Sequence, residues 1–109
     1  MNESSQFALR VTESGHGPVV VVTGELDLAT SDQLGECLHD LVGQYVTLDF
    51  SDVTFMDSTA INVLVAAQKR VENEGGKLVL HGVRPAQMRV FDIVGLTEHL
   101  NFDGDQETA

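Results

Sequence analysis

The chain has little basic charge, a single cysteine and no long apolar run. Six Lys and Arg stand against seventeen Asp and Glu in 109 residues, a formal charge of −11. Nucleic-acid binding is disfavoured, because phosphate backbones are met by clustered Lys and Arg and none cluster here. The same acidity disfavours an anionic membrane surface. It is compatible with a basic protein partner, although many proteins are acidic for solubility alone. One cysteine excludes a disulfide within the chain and suits a reducing cytoplasm. No apolar stretch approaches the roughly 18 residues that a membrane-crossing helix needs. The first residues, MNESSQFALR, lack the basic-then-apolar order of a secretion signal. The expected location is cytoplasmic.

Catalytic motifs are also missing. There is no GxSxG elbow, Walker loop or GxGxxG. His16, His39, His81 and His99 fall in a turn, a helix, a strand end and a late loop, with no HExxH-type spacing, and read as surface or structural. Cys37 lies on the apolar face of a predicted helix, where a thiol is more often core filler than nucleophile. Gly75-Gly76 ends a helix rather than opening one, so it cradles no phosphate. The chain is read as no enzyme, with no cofactor and no metal.

What is present is a patterned globular sequence, 42% apolar, sized for one domain with a real core. An ordered core is expected over 6–102, after a polar N-terminus, with a solvated acidic tail over 103–109. Phe7, Leu9 and Val11 alternate with Ala8, Arg10 and Thr12, as in a half-buried strand. Gly15-His16-Gly17-Pro18 is turn chemistry, and Val19 to Thr23 reads as a second strand closing a hairpin. Gly24-Glu25-Leu26-Asp27 leaves that strand. Thr30 with Gln33 has capping-box spacing, and Leu34, Cys37, Leu38 and Leu41 place a helix over about Ser31 to Val42. Val46 to Phe50 is a third strand, apolar except for Asp49. A second helix spans Ser58 to Asn73, with Ala60, Leu64, Ala67 and Val71 inward and Gly75-Gly76 as its stop. Lys77 to His81 is a fourth strand. Pro85 opens a third helix that Gly95 closes, anchored by Met88, Phe91, Ile93, Val94 and Leu96. A last short strand is expected near Leu100 to Phe102. Strands alternating with helices imply an α/β fold with a mostly parallel mixed sheet.

The junction Phe50-Ser51-Asp52-Val53-Thr54-Phe55-Met56-Asp57-Ser58-Thr59-Ala60 carries the chemistry. It puts a hydroxyl in the first turn of a helix, where backbone N–H groups lack intrahelical partners. About half a positive charge from the helix dipole sits there too, so an anion is favoured. Ser58 is either a cap residue or a site that takes a phosphate. Asp57, also a good cap, could free Ser58 for the second use. Asp57 as a phosphoaspartate of the response-regulator kind is a poor alternative: only Asp49 and Asp52 precede it, and no lysine follows Lys77.

The segments GELDLAT (24–30), LDFSDVTFMDSTAINVL (48–64) and EGGKLVLHGVRPAQMRVFDIVGL (74–96) resemble the anti-sigma factor antagonist family, the small bacterial STAS domains. The resemblance covers nearly the whole chain in order. It implies a four- to five-stranded sheet with helices on one side. It also implies that Ser58 is phosphorylated by an anti-sigma factor serine kinase of the GHKL type, and that a PP2C-type phosphatase reverses this. The unmodified form would then bind the kinase and release a sigma factor. Asp27 matches an acidic position beside the kinase-binding surface. The chain departs from the family in Ala60, where glycine is common, and in Thr59, where serine is common; Thr59 becomes possible as a minor acceptor. The expected partner face comprises Glu25, Asp27, Asp57, Ser58, Thr59, Asn62, Val63 and Ala66. Within it Val63 is read as apolar on the side away from the core stripe. Turn and cap chemistry is the other reading of Glu25 and Asp27. The alternative function is a structural STAS module of a stress-sensing or lipid-transport complex, bound through the same surface without a phospho-switch.

Overall fold

The valines at 19–22 lie inside a ten-residue strand in the computed structural model, which describes residues 7–95 and 100–103. The elements run β1 (Ala8–Ser14), β2 (Gly17–Leu26), α1 (Leu28–His39), β3 (Tyr45–Met56), α2 (Ser58–Asn73), β4 (Lys77–His81), α3 (Pro85–Ile93) and β5 (Asn101–Phe102). They form one five-stranded sheet in the order β1-β2-β3-β4-β5. β1 pairs antiparallel to β2, and every later pair is parallel. Each helix therefore links a strand to its next parallel neighbour, always stepping in the same direction. Right-handed crossovers put all three helices on one face.

Burial follows that topology. Val20, Leu48, Leu80 and Phe102 align across four strands, and the first three are wholly buried under the helices. The opposite row, Val19, Thr47, Val79 and Asn101, faces away from them. α2 covers the sheet with Ala60, Ile61, Leu64, Ala67 and Val71. Each such Leu or Val contributes about 1.5–3 kcal/mol by leaving water. α2 ends as the double glycine predicts. Gly75 has φ +93, its N–H donates to the Glu72 carbonyl, and the Gly76 N–H reaches back to Val71, both at 3.0 Å. This pairing satisfies the last free carbonyls of the helix.

Several boundaries differ from the sequence expectation. The Gly24-Glu25-Leu26 segment does not leave β2 but completes it, because its residues still pair with Val53, Phe55 and Met56. α1 begins at Leu28 rather than Ser31, since Asp27 and not Thr30 is the cap, and it stops at His39 with Asp40 as C-cap rather than at Val42. β3 does not end at Phe50. Its pairing with β2 slips twice, between Val21 and Thr23 and between Gly24 and Glu25. Its buried residues are consequently Val46, Leu48, Phe50, Val53 and Met56, a spacing of two that becomes three. The Asp49 carboxylate holds the first slip by accepting from the Ser51 N–H at 2.9 Å and the Ser51 hydroxyl at 2.6 Å.

Other expectations fail at the sheet edge and in α3. Leu9 is half-buried, but Val11 is 47% exposed on the edge strand, beyond the cover of the helices. In α3 only Gln87 and Phe91 are buried, Met88 is half-buried, and Ile93 is 78% exposed. A nine-residue helix offers the core only about one turn of contact. Phe91 makes that contact edge-to-face with Phe102, with ring centroids 5.3 Å apart. Asp103, expected in the solvated tail, is tied to the sheet: its N–H donates to the Leu80 carbonyl at 2.9 Å and its carboxylate meets His81 Nδ1 at 3.0 Å. The expectations for residues 1–6, for Leu96 and His99, and for 104–109 lie outside the described residues.

Candidate functional site

Leu26 and Met56 end neighbouring parallel strands in register. The Asp57 N–H donates to the Leu26 carbonyl at 3.1 Å, so the two chain segments leave the sheet side by side. Each is followed at once by an aspartate and a helix. Asp27 caps α1 and Asp57 caps α2. The site is thus a pair of helix N-termini set side by side at the ends of β2 and β3.

The two caps are built differently. The Asp27 carboxylate accepts from the Ala29 and Thr30 N–H groups, both at 3.1 Å. Thr30 closes the box by accepting from the Asp27 N–H at 2.9 Å, and its hydroxyl lies within donating distance of both the Glu25 carbonyl, at 2.7 Å, and the Asp27 carboxylate, at 3.1 Å. These donors, the Thr30 N–H foremost and then the Thr30 side chain, hold the Asp27 carboxyl below the ordinary 3.8 against the opposing effect of burial. Asp57 instead turns onto the residue two ahead. One of its oxygens accepts from the Thr59 N–H at 2.9 Å and also from the Thr59 hydroxyl. Asp57 and Thr59 are half-buried, while Ser58 is exposed between them. Among the described residues the Ser58 hydroxyl makes no hydrogen bond.

The residues expected at the partner face are thereby sorted into groups. Ser58, Asn62 and Ala66 are all exposed and succeed one another every four residues, forming one outward stripe on α2. Thr59 and Val63 lie one position further round and are half-buried. Val63 is not the outward valine that its spacing suggests. It packs on α1 where Gly35 leaves room, since a methyl added at Gly35 would lie 3.3 Å from Val63 Cγ1. Glu25 is a half-buried strand residue paired with Phe55. Two apolar residues missing from the sequence reading flank the junction. Leu28, the first residue of α1, is 72% exposed, and Phe55, three residues before Ser58, is 50% exposed. Leu28 directly follows its cap, and Phe55 stands two residues before the other, between the buried Val53 and Met56 and out of their row.

Burial, and then Asp40, push the Cys37 thiol above its ordinary 9.0, so it is a neutral thiol and a poor nucleophile near neutral pH. Among the described residues no three His, Cys, Asp or Glu side chains are placed to hold a metal ion. No helix among them is long and apolar enough to cross a membrane.

Residues 9–101 match the family described as "Mlab, STAS domain". The chain is 34% identical over 90 residues to the anti-sigma-B factor antagonist of Bacillus subtilis (strain 168), an alignment covering 81% of this chain and 83% of that one. Its fold is similar to the crystal structure of an anti-sigma factor antagonist from Mycobacterium paratuberculosis, with a TM-score of 0.82, 22% identity, and coverage of 96% of this chain and 92% of the other. It is similar as well to the Bacillus cell fate determinant SpoIIAA in the phosphorylated form, at a TM-score of 0.66 and 21% identity, over 92% of this chain and 93% of that one. A family match along most of the chain, together with a relative this similar over most of both lengths, means that the chain belongs to the anti-sigma factor antagonist family of STAS domains.

Proposed function

We propose that this chain is an anti-sigma factor antagonist whose unphosphorylated form binds an anti-sigma factor serine kinase of the GHKL type, so that a sigma factor is released. Phosphoryl transfer to Ser58 ends that binding, and a PP2C-type phosphatase restores it. In this reading the chain is a substrate and a binding module, not an enzyme. The observation that carries it is the state of Ser58: exposed, free of hydrogen bonds among the described residues, and at the first position of α2. The names of the relatives support the antagonist role, and the phosphorylated state of SpoIIAA supports a phosphate on this fold.

The electrostatics supply the switch. A phosphate on Ser58 adds about −1.5 to −2 charge. The N-terminus of α2 accepts such a charge at the level of the domain, because the dipole and the open N–H groups favour it. A partner pressed against the corner meets a dianion beside the Asp57 carboxylate and has to desolvate both. The bound surface comprises the outward stripe Ser58, Asn62 and Ala66, the acidic Glu25, Asp27 and Asp57, and the partly sheltered Thr59 and Val63. The exposed Leu28 and Phe55 add the apolar area that such an acidic patch lacks.

The test uses the anti-sigma kinase encoded in the same genome, with ATP and intact-mass detection. One phosphate is expected on the wild type and none on Ser58→Ala. By calorimetry Ser58→Ala keeps kinase binding, and Ser58→Glu weakens it at least tenfold. Transfer that survives Ser58→Ala, or equal affinity of the two variants, would falsify the reading. A kinase complex without any transfer would favour the unswitched structural module.

A further inference from the structure

Two hydroxyls stand next to each other at the junction, and a kinase acting on Ser58 has Thr59 within one residue of its target. We infer that Asp57 is a specificity-determining residue: its carboxylate withdraws the Thr59 hydroxyl from phosphoryl transfer and leaves Ser58 as the sole acceptor. This rests on the reading of Ser58 as the phosphoacceptor, and it replaces the expectation of Thr59 as a minor one.

The geometry separates the two hydroxyls in three ways. First, the Thr59 hydroxyl donates its only proton to the same Asp57 oxygen that accepts the Thr59 N–H at 2.9 Å, so side chain and backbone of Thr59 are gripped together. Ser58 has no such bond among the described residues. Second, Thr59 is half-buried and lies one turn before Val63, which is seated against Gly35 of α1. Its side chain therefore lies toward the seam between the helices. Ser58 points out of that seam and is exposed.

Third, the products differ. In the transfer, the hydroxyl oxygen bonds to the γ-phosphorus of ATP and the bond from that phosphorus to the bridging oxygen breaks. ADP leaves, and the hydroxyl proton passes to a base of the kinase. On Thr59 this would exchange a proton donor for a dianion in direct contact with the Asp57 carboxylate, an arrangement of like charges that a half-buried position screens poorly. It would also remove the donor that the carboxylate now uses. On Ser58 the new dianion points to solvent and to the open N-terminus of α2.

The test reads the share of label on Thr59 by phosphosite mapping after reaction with the cognate kinase and ATP. Wild type and Asp57→Asn, which keeps an acceptor oxygen in the same place, should carry phosphate on Ser58 alone. Asp57→Ala should carry it on both residues. In the Ser58→Ala background, removing Asp57 as well should raise Thr59 labelling at least tenfold. Labelling of Thr59 in Ser58→Ala with Asp57 intact overturns the inference, as does a silent Thr59 in an Asp57→Ala chain that still takes phosphate on Ser58; if Asp57→Ala takes none on either residue, the hydroxyl measurement below decides. So does Asp57→Asn labelling Thr59 as strongly as Asp57→Ala. A second measurement needs no kinase and no variant: the Thr59 hydroxyl proton of the wild type should be slow to exchange and visible by NMR, and fast exchange would overturn the tether. If the wild type takes no phosphate at all, the Ser58 reading fails, and the hydroxyl measurement still decides whether Thr59 is held.

Discussion

Asp27 and Asp57 look interchangeable as residues, each following a strand and preceding a helix, yet their partners give them different roles. Asp27 spends its carboxylate on two backbone N–H groups and is supported by Thr30. Asp57 spends its own on one backbone group and one hydroxyl, and thereby decides which neighbour stays free. The Asp27 arrangement has a pH signature whose sign can be worked out. Its folded value lies below the ordinary 3.8, so the stabilisation is fully present above 3.8 and is lost as pH falls through the folded value. Asp27→Asn caps without a charge. The stability gap between wild type and Asp27→Asn, followed by urea unfolding across a pH series, should therefore be constant above the ordinary carboxylate range and close in acid. A gap that widens in acid would contradict the assignment.

Among elements, α2 has the most demands on it. One side fills the core with Ala60, Ile61, Leu64, Ala67 and Val71, a second side meets α1 at Val63, and the third carries Ser58, Asn62 and Ala66 outward. These sides respond differently to substitution. Leu64→Ala should cost about 2–5 kcal/mol, because Leu64 is wholly buried and the cavity cannot fully collapse. Gly35→Leu should cost about 1–3 kcal/mol by overpacking the seam. It should also rotate or lift α2, moving Thr59 and Ser58 with it. Chemical unfolding measures both costs, and amide shifts at residues 58–60 should move in Gly35→Leu more than in Leu64→Ala. β3 is the other informative element, since its two slips turn a two-residue burial period into a three-residue one and so aim Asp57 at the start of α2.

For the whole molecule, a formal charge of −11 in 109 residues means self-repulsion that the compact state bears more than the unfolded one. Salt screens that repulsion, with a Debye length of about 8 Å at physiological ionic strength. Tm by differential scanning calorimetry should rise by about 2–5 °C between low and moderate salt. An unchanged or falling Tm would mean that favourable ion pairs outweigh the repulsion. The same charge favours a basic partner over association between two copies. The sheet gives the molecule two unlike faces, one packed by three helices and one that no helix among the described residues covers, and the site sits at the carboxyl ends of β2 and β3, where both caps emerge.

Local patterns determined the order of the elements, the limits of α2 and β4, and the place of Ser58. Capping chemistry, helical spacing and glycine stops act within a few residues and are legible wherever they occur. The end of β3 was not legible, because its slips against β2 replace the alternation that marks a strand. Nor was the cap of α1, where Asp27 and Thr30 are both acceptable and only the continued pairing of β2 through Leu26 chooses between them. The resemblance ranked Ser58 above Thr59, but the difference in their surroundings was hidden for the same reason. Ser58 and Thr59 differ by one residue in the chain, but by 100° around the helix. Only the packing of α1 against α2 decides which of those directions meets the solvent and which meets the protein.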